Sequence, residues 1–236
     1  MYCLLALSAL RRLMVEVVNT VGLKGSTVAT YAPVVTMELR NQIDDWYQHL
    51  PKPLKFPPTH TFLFDKRRAY LRSQYQALIA VVFWPFVPRS KEMLLFGQNG
   101  EDSERVMRGA DECLKAARDF LKGAEEILTQ KTVDSHVIVR SYFTMAVMLL
   151  FTLPSQDSDC EATEDHLLLE EALQNLSHWD VVPFMKKPLE ELERMALSKG
   201  IKGTSSMQQV FGGDNIWQML PKNPDKEADF NSAMKI

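Results

Sequence analysis

The sequence predicts an all-α protein, an irregular multi-helix bundle of about seven helices, and three observations carry that prediction. Apolar residues recur at helical spacing along most of the chain, and no segment gives a convincing strand. Ten glycines and twelve prolines make 22 of 236 residues, few for the turn-rich sequences of strand-dominated folds. Apolar residues are 46% of the chain, and 27 Lys and Arg against 30 Asp and Glu give a formal charge of −3, so a core can be filled and an ordinary charged surface remains.

The elements follow in order. Residues 3–21 read as a helix that is apolar from its second residue and lacks a capping residue or polar lead-in. It looks entered midway, which predicts that the chain is the later part of something longer. A signal peptide is not expected, because no basic segment precedes the apolar run and Arg11 and Arg12 follow it. Gly22, Gly25 and Pro33 break the pattern. Thr36 is the expected N-cap of a helix carrying Leu39, Ile43, Trp46, Tyr47 and Leu50 on one face. Pro51, Pro53, Pro57 and Pro58 stop it. Residues 66–84 then hold Leu71, Tyr75, Leu78, Ile79 and Val82 in helical register, up to the missing N–H of Pro85.

A shorter piece reaches Phe96, and Gly97-Gln98-Asn99-Gly100 is a turn. Ser103 is the expected cap of a helix over 103–130, the clearest amphipathic one, with Val106, Ala110, Cys113, Ala117, Phe120, Leu121, Ala124 and Leu128 on one side. Residues 135–153 are apolar nearly all round, as a central helix should be. The strongly apolar stretch, 141–153, is short of the ~20 residues a membrane crossing needs. These two helices are expected at the centre. Residues 154–161 read as a polar surface loop, 163–179 as a helix, and Pro188 as the first turn of a last helix ending at Lys199-Gly200. Residues 203–220, interrupted by Gly212-Gly213, are ambiguous. The expected organisation is one helical domain over 1–220 and a flexible tail over 221–236.

Motifs with chemistry are few. Cys3, Cys113 and Cys160 are odd in number and widely spaced, so they make neither a disulfide framework nor a zinc site. A pI near 6.0 with mixed charges provides no basic field for phosphates, so no direct nucleic-acid binding is expected. Asp44-Asp45 invites a magnesium–diphosphate reading of the terpene-cyclase kind, but no third carboxylate follows at the next turn and no second cluster occurs downstream. A solvated acidic face, dispensable for activity, is the better reading. His49, His60, His136, His166 and His178 have no zinc spacing and read as surface or capping residues. There is no G-x-S-x-G, and Gly212-Gly213 lacks a phosphate-loop pattern. Trp46, Tyr47, Tyr75, Phe83, Trp84, Tyr142, Phe143, Met145, Met148 and Phe151 could line an apolar cavity, but plain core packing is the stronger expectation. No catalytic, cofactor-binding or metal residue is assigned, and no cofactor is implied.

Residues 38–51, Glu-Leu-Arg-Asn-Gln-Ile-Asp-Asp-Trp-Tyr-Gln-His-Leu-Pro, resemble the E-L-x-x-Q-L-x-x-W-x-x-x-L-P segment of the fungal-specific transcription factor regulatory domain, the middle homology region of binuclear zinc cluster regulators. Further pieces stand in the family's order. Residues 71–87, with Tyr75 and Trp84-Pro85-Phe86, look like its L-x-x-x-Y helix and R-P-F stop; residues 113–117 look like its C-x-x-A-A helix; residues 143–153 look like the apolar helix that follows. The resemblance spans roughly residues 36–200. It departs at Trp84, where arginine is usual, and the six-cysteine zinc cluster of family members is not found in this chain.

The resemblance implies a regulatory domain in the nucleus, or an orphan paralogue without a DNA-binding domain, that modulates transcription, in a secondary-metabolite pathway for example, through a small effector or a protein partner. A homodimer is left open, and no membrane partner is expected. The competing expectation is a helical enzyme of fungal secondary metabolism, cytoplasmic and cyclase-like, with an aromatic-lined pocket.

Overall fold

The computed structural model describes residues 2–20, 31–59, 61–97, 100–128, 133–153 and 164–201. All regular elements among them are helical, so the fold is all-α. They are α1 (Tyr2–Thr20), α2 (Pro33–Gln48), a single 3-10 turn (Lys52–Leu54), α3 (Lys66–Phe83), α4 (Phe86–Phe96), α5 (Glu101–Leu128), α6 (Val133–Thr152), α7 (Glu164–Ser177) and α8 (Pro183–Ser198). Among the described residues eight α-helices stand, in keeping with the expected bundle of about seven; the short piece after Trp84 is a separate helix, turned by Pro85 and closed by Gly97 in the left-handed region at φ 64°. The expected breaks at Gly22 and Gly25, the loop 154–161, the stretch 203–220 and the tail 221–236 lie outside the described residues.

α5 is the hub, packed against α3, α4, α6 and α7. Its amphipathic face is buried as expected, with Val106, Cys113, Ala117, Phe120 and Ala124 fully covered. α6 lies on its other side, anchored where the Ser135 hydroxyl donates to the Ile127 carbonyl at 2.7 Å. By length and composition α6 could cross a membrane, but half of it is buried within this bundle. α7 is held to α5 by two forked bonds from Arg118 to Asp165, 2.6 and 2.8 Å, and by Lys122 to Glu164, 2.6 Å. Both acidic residues stand in the first turn of α7, where the helix dipole favours negative charge.

Three helices whose starts were assigned to a cap or a proline begin earlier than expected. Pro33 takes the first position of α2, so Thr36 sits inside it and donates back to the Ala32 carbonyl at 3.1 Å. Ser103 is inside α5, its N–H bonded to the Gly100 carbonyl at 3.0 Å. Pro183 starts α8, and Pro188 lies within it, forgoing the one bond its N–H would make to the carbonyl four residues back.

The centre also includes a helix that periodicity underrated. α3 packs more extensively on α5 than any other pair of helices in the bundle, and it is buried almost all round from Leu71 to Phe83. Polar residues are buried with it: Arg72, Ser73, Gln74 and Gln76. Two of them reach main-chain carbonyls of the preceding segment. Arg72 Nη1 donates to the Thr61 carbonyl at 2.5 Å, and Gln76 Nε2 to the Pro58 carbonyl at 3.1 Å. The proline-rich segment 51–65 is thus a strap over α3, fastened by side chains reaching out of the core. Two glycines permit the close approaches. A Cβ on Gly109 would lie 2.2 Å from Phe86 of α4, and one on Gly123 would lie 3.0 Å from the Arg72 guanidinium.

Candidate functional site

α1 and α2 meet at small residues. Ala6 is buried and its carbonyl accepts from the Trp46 indole N–H at 3.0 Å, which fixes the two helices at one separation. Alongside this contact runs an open groove of about 520 Å3, within the range of small-molecule sites. Leu5, Ala9 and Leu13 of α1 form one apolar wall, and Trp46, Leu50 and Pro51 the other. The rim carries Arg12 and Glu16 from α1 and Gln42, Asp45 and His49 from α2. His49 Nδ1 lies 2.7 Å from the Asp45 carbonyl, its own helix's last turn. An apolar body can be received here and polar groups met at the edge.

Behind the groove an aromatic cluster locks α2, the strap and α3 together. The Trp46 and Tyr75 rings stack with centroids 6.2 Å apart, while Tyr47 meets Phe56 at 5.1 Å and Tyr75 at 5.4 Å. The Tyr47 hydroxyl donates to the Phe56 carbonyl. The Tyr75 hydroxyl donates to Asp44 Oδ1 at 3.2 Å, and Arg40 Nε to Asp44 Oδ2 at 2.9 Å. Burial is the main cause that pushes the Tyr75 phenol up to about 12; Arg40 pulls it down and Asp44 raises it. Asp44 is therefore a half-exposed acceptor between two helices and more than a bystander on a solvated face; Asp45 is exposed.

The remaining candidates are dispersed. Of the aromatic and methionine set only Trp46 lines the groove. Phe83 meets Phe86 at 5.7 Å, Trp84 meets Phe151 at 5.6 Å, and Tyr142 lies 6.3 Å from Phe120, with its hydroxyl accepting from Asn175 Nδ2 at 3.3 Å. Cys113 is buried, donates its S–H to the Ala80 carbonyl at 3.2 Å, and has its thiol pushed up to about 12 by burial. Cys3 is half-buried, and Cys160 and His60 lie outside the described residues. His136 stands edge-on to Trp179 at 5.1 Å, and His178 Nδ1 lies 2.8 Å from the Gln174 carbonyl. Among the described residues no three His, Cys, Asp or Glu side chains come together as a metal site.

Sequence reasoning found Trp46 and Leu50 but missed the α1 side of the groove. The available signal was that α1 carries more apolar residues than one face can bury: Leu4, Leu5 and Val15 are all at least 60% exposed. No family model matches this chain, and neither a curated protein nor a solved structure matches it.

Proposed function

We propose that the chain is a regulatory domain of the fungal transcription factor kind it resembles, or an orphan paralogue of one, acting through an effector or protein partner received in the α1–α2 groove. One observation carries the reading. The apolar residues that bear the resemblance, Leu39, Ile43, Trp46, Leu50, Tyr75, Cys113 and Ala117, are buried residues of the α2, α3 and α5 region, while Glu38 of the same phrase is exposed. Apolar motif positions that pack together speak for a shared scaffold, and what such a scaffold does depends on its surface. The groove is the concave apolar surface at hand, and its rim offers binding groups. Its one imidazole already faces its own helix's carbonyl. The cyclase alternative loses ground because Asp44, one half of its acidic pair, is engaged by Arg40 and Tyr75.

The test is a reporter driven by an unrelated DNA-binding domain and activator, with this chain inserted between them. Insertion should lower output severalfold, and Leu5→Glu or Ala9→Glu, both at exposed positions in the groove, should restore it. Output indifferent to the inserted chain would sink the regulatory reading.

A further inference from the structure

The strap over α3 presents two aromatic rings to solvent. Phe62 is 63% exposed and Phe64 93%, and their rings meet edge-on at 4.8 Å. Leu63 between them is buried, so alternate residues of the strap point in and out and the pair is held outward by its neighbour's anchor. The Arg72 bond to the Thr61 carbonyl fastens the strap one residue before the pair. Phe64 is followed at once by Asp65, the N-cap of α3, so the presentation is fixed from both sides.

The segment that carries the pair is one-sided in charge. Over residues 52–68, Lys52, Lys55, Lys66, Arg67 and Arg68 stand against a single carboxylate, Asp65, in a chain whose formal charge is −3. Asp65 gives both oxygens to Arg67: Oδ1 accepts from its backbone N–H and Nε at 3.0 and 3.1 Å, and Oδ2 from Nη2 at 2.9 Å. Lys66 and Arg68 are then left in the first turn of α3, where the positive end of the helix dipole disfavours them. An external anion would offset that placement.

We infer that this surface docks on an anionic lipid bilayer, the Phe62–Phe64 pair entering the interface and Lys66 and Arg68 meeting the headgroups. The shape favours a bilayer over an acidic protein segment. A peptide needs walls, and neither phenylalanine lines the α1–α2 groove. A flat, deformable, negatively charged surface accepts a protruding aromatic pair with a cationic collar. The contact is peripheral and involves no spanning helix.

Co-sedimentation of the full chain with vesicles tests this, using phosphatidylcholine alone or with roughly 30% phosphatidylserine, at low and high salt. Binding is expected only to the anionic vesicles, weakening as salt rises. Phe62→Ser with Phe64→Ser, and separately Lys66→Ser with Arg68→Ser, should each lower affinity by on the order of tenfold or more, with the melting temperature kept as the folding control. No sedimentation, equal binding to both vesicles, or binding indifferent to both double variants overturns the inference. So does retention on immobilised polyglutamate without vesicle binding, which would assign the surface to an acidic protein.

Discussion

The indole N–H of Trp46 donates to the Ala6 carbonyl across forty residues of sequence, while the same ring stacks on Tyr75. One side chain therefore joins α1, α2 and α3. Its neighbours on α2, Ile43 and Leu39, are buried beside it, so the indole closes a seam that begins two turns earlier.

Trp46→Ala should cost about 3–5 kcal/mol through the lost indole and the cavity it leaves. That is a large part of a domain margin of roughly 5–15 kcal/mol. Trp46→Phe keeps most of the ring contact and removes one hydrogen bond, the Ala6 carbonyl retaining its bond within α1, a loss of about 0.5–1.5 kcal/mol. Urea unfolding should rank the parent above Trp46→Phe and Trp46→Phe above Trp46→Ala. Equal midpoints for the alanine variant and the parent would make Trp46 a surface residue of the groove, not the pin of three helices.

Gly109 allows α5 to lie against the Phe86 ring, since a Cβ there would fall 2.2 Å from Cδ1. Gly109→Ala should destabilise by about 1–3 kcal/mol through forced movement of α4, despite alanine's better helix propensity. Phe86→Leu makes room, so the double variant should be more stable than the sum of the single effects. Additive losses in a double-mutant cycle would show that the two sites do not meet.

These contacts mark the limit of what sequence can disclose. The buried face of α5 was legible, because Val106, Cys113, Ala117, Phe120 and Ala124 recur at helical spacing and all are buried. α3 was half legible: Leu71, Tyr75 and Leu78 gave its register, but nothing in that pattern disclosed the burial of Arg72, Gln74 and Gln76. Two of their partners, the Thr61 and Pro58 carbonyls, are main-chain atoms of a loop, which no side-chain pattern encodes. Thr36 and Ser103 misplaced two helix starts because each is a good cap by type, while Pro33 and Gly100 set the start by backbone geometry. Trp46 was legible as an anchor toward Tyr75; the groove was not, since it depends on the distance at which Ala6 lets α1 approach α2.

Arg72 is fully buried with Nε and Nη2 unpartnered, and burial lowers its pKa from the usual arginine value. Arg72→Met retains the aliphatic bulk and removes the desolvated charge, so global stability should hold or rise. The exposed Thr59 and Thr61 segment can find water for its carbonyls, but the strap loses its fastening. Limited trypsin cleavage after Lys55 should then accelerate severalfold with the melting temperature unchanged. Arg72→Ala, which leaves a void, should instead lower stability by about 2–5 kcal/mol. Unchanged proteolysis in Arg72→Met would mean that the strap is held by Leu54, Phe56 and Leu63 alone.

Tyr75 links the fold to pH. In the folded protein its phenol is raised to about 12, above the ordinary value of about 10, chiefly because burial disfavours phenolate. A group whose folded pKa is raised contributes its full stability below the unfolded value and loses it as pH climbs through the folded one. The contribution should therefore be intact at pH 9 and fall away between about 10 and 12. Tyr75→Phe should show a shallower decline of unfolding free energy over that window. Asp44 provides the second arm of the test. Asp44→Asn preserves an acceptor for the Tyr75 hydroxyl and gives up only the ion pair with Arg40, an effect of about 1 kcal/mol or less. Asp44→Ala strands a hydroxyl on a residue only 5% exposed and should cost about 1–3 kcal/mol. If both Asp44 variants unfold like the parent at pH 7, the bond does not persist in solution, and Asp44 reverts to the solvated acidic residue its sequence predicted.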